Sequence, residues 1–151
     1  MRPLPLGCLL LACGSGPMAG GDGEACSAPY ALAKGMVTVE GSTELFHDDD
    51  GDTLSSCGGS GAPDVVFAFS AVAAQKVTVT VTTASDFWPI VKLRGAGHGC
   101  TDLDDRCNAP AVAGAKAQIA DWTVGKDGTQ YLIVDGKNGT KGPFTLQLQV
   151  Q

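Results

Sequence analysis

The fold class is decided by the stretch CGGSGAPDVVFAFS at residues 57–70, together with KVTVTVTT at residues 76–83. In the second segment, valines alternate with threonines from Val77 to Thr82, the period of two that places apolar side chains on one face of a β-strand. Val65, Phe67 and Phe69 alternate in the same way. Since about five residues separate the two segments, we predict a β-hairpin whose apolar face needs a second layer.

Working outward, further short apolar segments alternate or run continuously between Gly-rich and Asp-rich turns. In the segment that ends at Arg94, we expect Val91 and Leu93 to face inward, with Lys92 and Arg94 facing outward. The other strand segments are 36–40, 131–134 and 144–150. The segment 116–124 fits either a strand or one turn of helix, and Ala117 and Ile119 favour the strand. About seven short strands without a clear helix predict an all-β fold, an antiparallel β-sandwich of jelly-roll type with seven to eight strands. A small closed barrel is the alternative.

Composition limits the function classes. The 151 residues carry a formal net charge of -6, with 21 Gly and 8 Pro. This length provides one domain, and the absence of a Lys/Arg cluster argues against nucleic acid as a partner.

The six cysteines point to an oxidising compartment, and the first residues are typical of an export signal. The run LLACG at residues 10–14 resembles the lipobox of bacterial lipoproteins, with Cys13 as the lipidation site. We therefore predict a signal peptide at 1–12, a flexible tether at 13–22 and a domain at 23–151. An ordinary signal peptide that ends near Ala12 or Ala19 is the alternative.

Four segments carry a family likeness: 23–30, 57–69, 100–108, and 130–136 together with 142–146. They resemble the bacterial pre-peptidase C-terminal (PPC-like) domain, in the Cys-containing type found in secreted proteins and lipoproteins of myxobacteria. The resemblance implies a jelly-roll β-sandwich that serves as a non-catalytic module, and in collagenase relatives a calcium-stabilised binding domain. Many relatives have Asn-Asp where this chain has Asn108 and Ala109, which weakens a cation site in that loop.

Four cysteines lie in the domain, and we predict disulfides from Cys100 to Cys107 and from Cys26 to Cys57. Closing a short loop adds about 2 to 3 kcal/mol in the chain-entropy model. Zinc held by His98, Cys100 and Cys107 is the rival interpretation, but it lacks a fourth ligand at a usual spacing.

Two sets of residues are candidates for binding. Carboxylates alternate in the run HDDDGDT at residues 47–53, as they do in calcium loops, so we predict calcium at Asp48, Asp50 and Asp52, with Asp64 as a further ligand. A solvated acidic loop is the alternative, in which case the chain has no cofactor. Trp88 and Trp122 are candidate platforms for stacking on sugar or peptide, unless they fill the core.

No nucleophile elbow or placed acid–base partner accompanies His47 or His98, so we expect no enzymatic activity. The sequence predicts a binding or adhesion module at the outer membrane or cell surface, held there by its lipid alone, or a secreted form of it. Its expected partners are polysaccharide, cell wall or an extracellular protein. An accessory envelope protein without a ligand is the second class, and a small hydrolase with a His–carboxylate cleft is the third.

Overall fold

The computed structural model describes residues 22–49, 55–84, 86–101 and 103–151. These residues form nine β-strands and one short 3-10 turn, Lys137–Gly139. The strands are β1 (Tyr30–Ala31), β2 (Met36–Ser42), β3 (Val65–Ala71), β4 (Lys76–Thr83), β5 (Pro89–Arg94), β6 (Arg106–Asn108), β7 (Ala117–Thr123), β8 (Gly128–Gly136) and β9 (Pro143–Val150). In these four ranges, no helix is long and apolar enough to cross a membrane.

The strands form two sheets that pack face to face. One sheet has five strands in the order β1-β3-β8-β5-β6, and the other has four in the order β2-β9-β4-β7. Every neighbouring pair is antiparallel except β1 and β3. The predicted all-β, antiparallel β-sandwich is therefore confirmed, with β1 and β6 as short strands that the sequence did not reveal.

The predicted hairpin between residues 57–70 and 76–83 is wrong. Strand β3 pairs with β8 and β1 in the five-stranded sheet, whereas β4 pairs with β9 and β7 in the four-stranded sheet. The turn at 72–75 carries the chain from one sheet to the other. As a result, the apolar faces of β3 and β4 both point into the core.

The core lies between the two inner faces, and alternation places its residues as predicted. Val77, Val79 and Val81 are completely buried, while the outer face of the four-stranded sheet carries the alternating threonines and glutamines. The segment at 131–134 is covered on both faces, since Leu132, Ile133 and Val134 are all inaccessible. The strands predicted at 36–40, 116–124 and 144–150 are also present.

The outer face of the five-stranded sheet is covered by loops, which we call the outer layer (residues 22–29, 55–63, 95–101 and 103–105). A second, small apolar cluster of Val66, Cys100 and Ile133 lies on this face. Lys92 and Arg94 do point away from the main core, as predicted, but they are 0% and 3% exposed. The sequence pattern led us to expect solvent around Lys92 and Arg94, but the loops of the outer layer cover them instead.

Two disulfides hold the outer layer, one between two of its parts and one between it and β6, and their pairing differs from the prediction. Cys26 bonds to Cys100 and Cys57 bonds to Cys107, with Cα–Cα distances of 5.5 and 6.1 Å. Pairing of β6 with β5 holds Cys107 opposite Lys92 at the sheet edge. Cys100, seven residues earlier, packs on the apolar cluster next to Cys26, so the two ends of this loop meet different partners.

Candidate functional site

One end of the sandwich, where β3 begins and β8 ends, concentrates acidic side chains around a histidine. We call the group of Glu24, His47, Asp48 and Asp49 the acidic corner. Oε1 of Glu24 accepts a hydrogen bond from the backbone N–H of His47 at 2.8 Å and also contacts Nδ1 of the same residue. The His47 side chain is 81% exposed and that of Glu24 is 29% exposed, so the corner is open to a partner.

Hydrogen bonds between residues 47–49 and residues 61–64 hold the corner in place. The N–H of Asp64 donates to the carbonyl of His47 at 3.0 Å, and the N–H of Asp49 donates to Oδ2 of Asp64, also at 3.0 Å. Oδ2 of Asp48 accepts the N–H of Gly61 at 2.8 Å. These contacts fix the backbone at 47–49, while the side chains of Asp48 and Asp49 remain exposed.

Of the four calcium ligands predicted from the sequence, the structure describes two, Asp48 and Asp64. Asp50 and Asp52 lie outside the described residues. Asp48 is exposed, whereas Asp64 is completely buried. Among the described residues, the group with metal-ligand spacing is instead Glu24, His47 and Asp49, whose ligand atoms lie within 4.8 Å of one another.

Glu24 also controls the protonation of His47. The hydrogen bond that His47 donates to the Glu24 carboxylate, the charge of that carboxylate and the charge of Asp49 together raise the pKa of His47 above the ordinary value of 6.5. Near neutral pH the corner therefore contains more imidazolium than an isolated histidine would.

This shift makes the contribution of His47 to stability depend on pH. Because the folded-state pKa is raised, the contribution is complete below about pH 6.5, the unfolded value, and is lost as the pH rises through the folded-state pKa. We expect His47→Gln to lower Tm relative to the parent in mildly acidic buffer, with the difference shrinking in alkaline buffer. Thermal unfolding across this range tests it, and His98→Gln serves as the control for loss of another exposed histidine. A Tm difference that does not vary with pH would contradict the assignment.

The two tryptophans lie in different environments. Trp122 is 8% exposed and belongs to the main core, so the prediction of an exposed stacking platform is wrong for this residue. Trp88 is half-buried; its Nε1 donates to the carbonyl of Pro110 at 2.7 Å, and Nζ of Lys137 lies 4.6 Å from its ring centroid. One face of the Trp88 ring is therefore already occupied.

Trp88 nevertheless lies at the same end of the sandwich as the acidic corner. The N–H of Lys137 donates to the carbonyl of Trp88 at 2.8 Å, and the next turn of chain brings Gly139 against Gly61. Since Gly61 binds Asp48, one set of contacts connects the indole to the corner.

The opposite end of the sandwich has a cleft of about 260 Å³ lined by His98, Asp105, Trp122 and Lys126. Nε2 of His98 lies 3.6 Å from Oδ1 of Asp105, beyond hydrogen-bond length. Oδ2 of Asp105 accepts the N–H of Gly95 at 2.5 Å, so this carboxylate also shapes the loop. The cleft brings together a histidine and a carboxylate that the sequence did not connect.

Glu24 and Asp49 were absent from the predicted binding residues. Glu24 lies 23 residues before His47, and no local pattern connects the two. The carbonyl of Gly23 accepts the N–H of Val66 at 2.8 Å, which places the amino-terminal segment beside β3 and Glu24 beside the corner. Only the local density of acids in residues 48–52 marked this region from the sequence.

Comparison with known proteins supports the fold. No family model and no curated protein matches the sequence. Among solved structures, the chain is similar to PliG of Aeromonas hydrophila, a periplasmic lysozyme inhibitor of g-type lysozyme, with 17% identity, a TM-score of 0.53 and coverage of 82% of this chain and 94% of that one. PliG of Salmonella Typhimurium gives 13% identity, a TM-score of 0.50 and coverage of 82% and 97%. The pre-peptidase C-terminal domain of collagenase from Bacillus anthracis gives 16% identity, a TM-score of 0.51 and coverage of 80% of this chain and 92% of that one. The fold of the PPC-like domain expected from the sequence is thus among the similar structures.

Proposed function

We propose that this chain is an exported, non-enzymatic binding module of the cell envelope, of the Cys-containing PPC-like type, and that its acidic corner recognises an extracellular protein with a basic surface. The observation that carries the proposal is the corner itself. Three carboxylates surround His47 on a backbone fixed by hydrogen bonds, in a chain of net charge -6. A preorganised acidic surface attracts a basic partner and increases its association rate.

Two further observations support export. The four cysteines of the domain are all bonded in pairs, and disulfides persist in oxidising compartments. Similar structures include periplasmic proteins.

In this proposal residues 1–12 are removed, Cys13 receives the lipid and residues 13–22 separate the domain from the membrane. Labelling with a clickable fatty acid should modify the full chain but not Cys13→Ser; equal labelling of both would exclude Cys13.

The inhibitors among the similar structures make g-type lysozyme the first partner to test. We expect it to bind the purified protein at low ionic strength and to bind more weakly as salt is added. The Asp48→Asn/Asp49→Asn variant should bind about tenfold more weakly, since it removes two charges from the corner while keeping an oxygen that can accept the Gly61 N–H.

A matched control removes two charges at the opposite end of the molecule. Asp121 and Asp127 are exposed there, and Asp121→Asn/Asp127→Asn changes the net charge by the same amount. Equal losses in the two double variants would show that net charge, and not the corner, determines binding. No binding by g-type lysozyme at low salt would exclude it, and insoluble cell wall and its polysaccharide would then be tested with the same variants.

A small hydrolase is the second candidate, favoured by the cleft that holds His98 and Asp105. Thr123 is also among the residues that line this cleft, and its hydroxyl accepts a hydrogen bond from Nζ of Lys76 at 2.5 Å. Hydrolysis of a cell-wall substrate that is lost in His98→Ala and kept in the corner variant would favour the enzyme. If the parent chain neither bound a partner nor hydrolysed a cell-wall substrate, an accessory envelope protein without a ligand would be favoured.

Calcium at Asp48, Asp50 and Asp52 stays part of the proposal, because carboxylates at alternating positions are hard oxygen ligands. A ligand at about 100 times its Kd adds about 2.7 kcal/mol to the free energy of unfolding. We therefore expect chelation to lower Tm and added calcium to restore it, with a smaller response in Asp48→Asn. An unchanged Tm together with no heat in titration calorimetry would exclude the site.

A further inference from the structure

Lys92 and Asp135 form an ion pair that is completely enclosed between the five-stranded sheet and the outer layer. Nζ of Lys92 lies 2.8 Å from Oδ2 of Asp135, and both side chains are 0% exposed. Ile133 is the residue directly opposite Lys92, so Asp135 is its diagonal neighbour on the adjacent strand. The strands therefore hold an amine and a carboxyl group in contact, in a place that water does not reach.

Apolar side chains pack on this pair, and a second buried carboxyl group, that of Asp64, comes immediately before Val65, whose partner in β8 is Val134, next to Asp135. The cluster of Val66, Cys100 and Ile133 lies on the same face of the sheet, and Ile90, directly opposite Asp135, is 0% exposed. Burial disfavours the charged forms of both groups. Transfer of a proton from the ammonium to the carboxylate gives a neutral amine beside a neutral carboxylic acid, which are the reactants of amide formation.

A backbone donor is aimed at the other oxygen of the same carboxyl group. The N–H of Gly136 donates to Oδ1 of Asp135 at 2.6 Å. A Cβ at Gly136 would lie 1.8 Å from the carbonyl oxygen of Thr140, so the chain here is tightly confined and the donor is fixed. A fixed N–H at this oxygen polarises the carbonyl and stabilises the negative charge that develops on it during attack at the carbon.

We propose that Lys92 and Asp135 condense spontaneously to an intramolecular isopeptide bond that links β5 to β8. The Nζ lone pair attacks Cγ of Asp135, the Cγ–Oδ2 bond breaks, and Oδ2 leaves as water with two of the three ammonium protons. The amide nitrogen keeps the third proton, and Oδ1 becomes the carbonyl oxygen that Gly136 binds. The step needs no oxidant or cofactor, and exclusion of water from the site favours condensation.

The first test is the mass of the purified full chain after its amino terminus has been identified. We expect a mass lower than that of the chain with two disulfides by one water, about 18 Da. After reduction and digestion with trypsin, fragments 77–94 and 127–137 should remain joined, with no cleavage after Lys92. Intact mass without the water loss, together with separate fragments, would overturn the proposal.

The Asp135→Asn variant gives an independent fingerprint. Its amide reacts with loss of ammonia, so its product is chemically identical to that of the parent and the two proteins converge on one mass. In Lys92→Met the water loss and the joined fragments should both disappear. If Lys92→Met does not fold, the parent and Asp135→Asn still decide the question, because neither depends on it.

A rival modification loses the same mass at the same residue. Attack of the Gly136 nitrogen on Asp135 would form a succinimide, also with loss of water, but it would leave fragment 127–137 unlinked and Lys92 open to cleavage by trypsin. A water loss that persists in Lys92→Met, with no joined fragments in the parent, would assign the change to the succinimide and overturn the isopeptide.

Discussion

The Trp122→Ala variant is expected to lose about 3 to 5 kcal/mol of its free energy of unfolding, the usual cost of truncating a large buried aromatic residue. Trp122 lies opposite Val77 in the four-stranded sheet and packs into the main core, with 8% of its surface exposed. Its removal leaves a cavity between the sheets that Ile119 and Val124 cannot fill from fixed strands. Urea-induced unfolding followed by circular dichroism measures the loss.

Trp88→Ala is the matched comparison, since it removes the same atoms from a half-buried position. There the change deletes the hydrogen bond to Pro110 and the contact with Lys137. We expect it to cost less than half as much as Trp122→Ala, because water can replace part of what is lost. Equal destabilisation by the two variants would contradict the different environments of the two residues.

The sequence predicts which side of each strand faces inward, but it does not predict the neighbours of the strand. Valines at every second position from Val77 to Val81 must be covered on one face, whichever strand lies beside them. The same pattern arises in a hairpin and in two strands that face each other across a core. The turn at 72–75 is short enough for either arrangement, so alternation identified β3 and β4 correctly while their pairing was wrong.

For a related reason, the local sequence pattern could not predict which residues on the outer face of the five-stranded sheet are exposed. Lys92 and Arg94 alternate with apolar residues as solvent-facing residues do. Their burial depends on loops that are distant in sequence, and Arg94 finds its partner, Asp104, at 2.8 Å within one of them. The path of these loops depends on which cysteines pair, and connectivity cannot be deduced from spacing alone.

The candidate site was predicted only in part, because its members come from separate segments. The high density of acidic residues in the sequence identified the loop that contains Asp48 and Asp49. The residue that sets the pKa of His47 is Glu24, and it arrives through the docking of the amino-terminal segment on β3. Nothing near Glu24 in the sequence distinguishes it from any other glutamate.

Removal of either disulfide is the second change for which we expect a large effect. The bonds join residues separated by 74 and 50 positions, and in the chain-entropy model loops of this length each contribute about 4 kcal/mol. The short loop from Cys100 to Cys107 would have contributed less. We therefore expect Cys26→Ser/Cys100→Ser and Cys57→Ser/Cys107→Ser each to lower the free energy of unfolding by about that amount, measured by thermal and urea unfolding.

The pairing of the four cysteines can also be tested directly, by counting free thiols. A double variant that removes both partners of one bond leaves the other bond intact, so in either variant above Ellman's reagent should detect no free thiol among the cysteines of the domain. The double variant Cys26→Ser/Cys57→Ser takes one cysteine from each bond, and it should expose two thiols and lose the constraint of both. If the parent chain, digested with trypsin without reduction, instead gave fragments in which Cys100 is bonded to Cys107, the short-loop pairing would be the true one. Residues 22–29 and 55–63 would then be linked to each other, and packing and hydrogen bonds would hold them on the sheet without a disulfide to it.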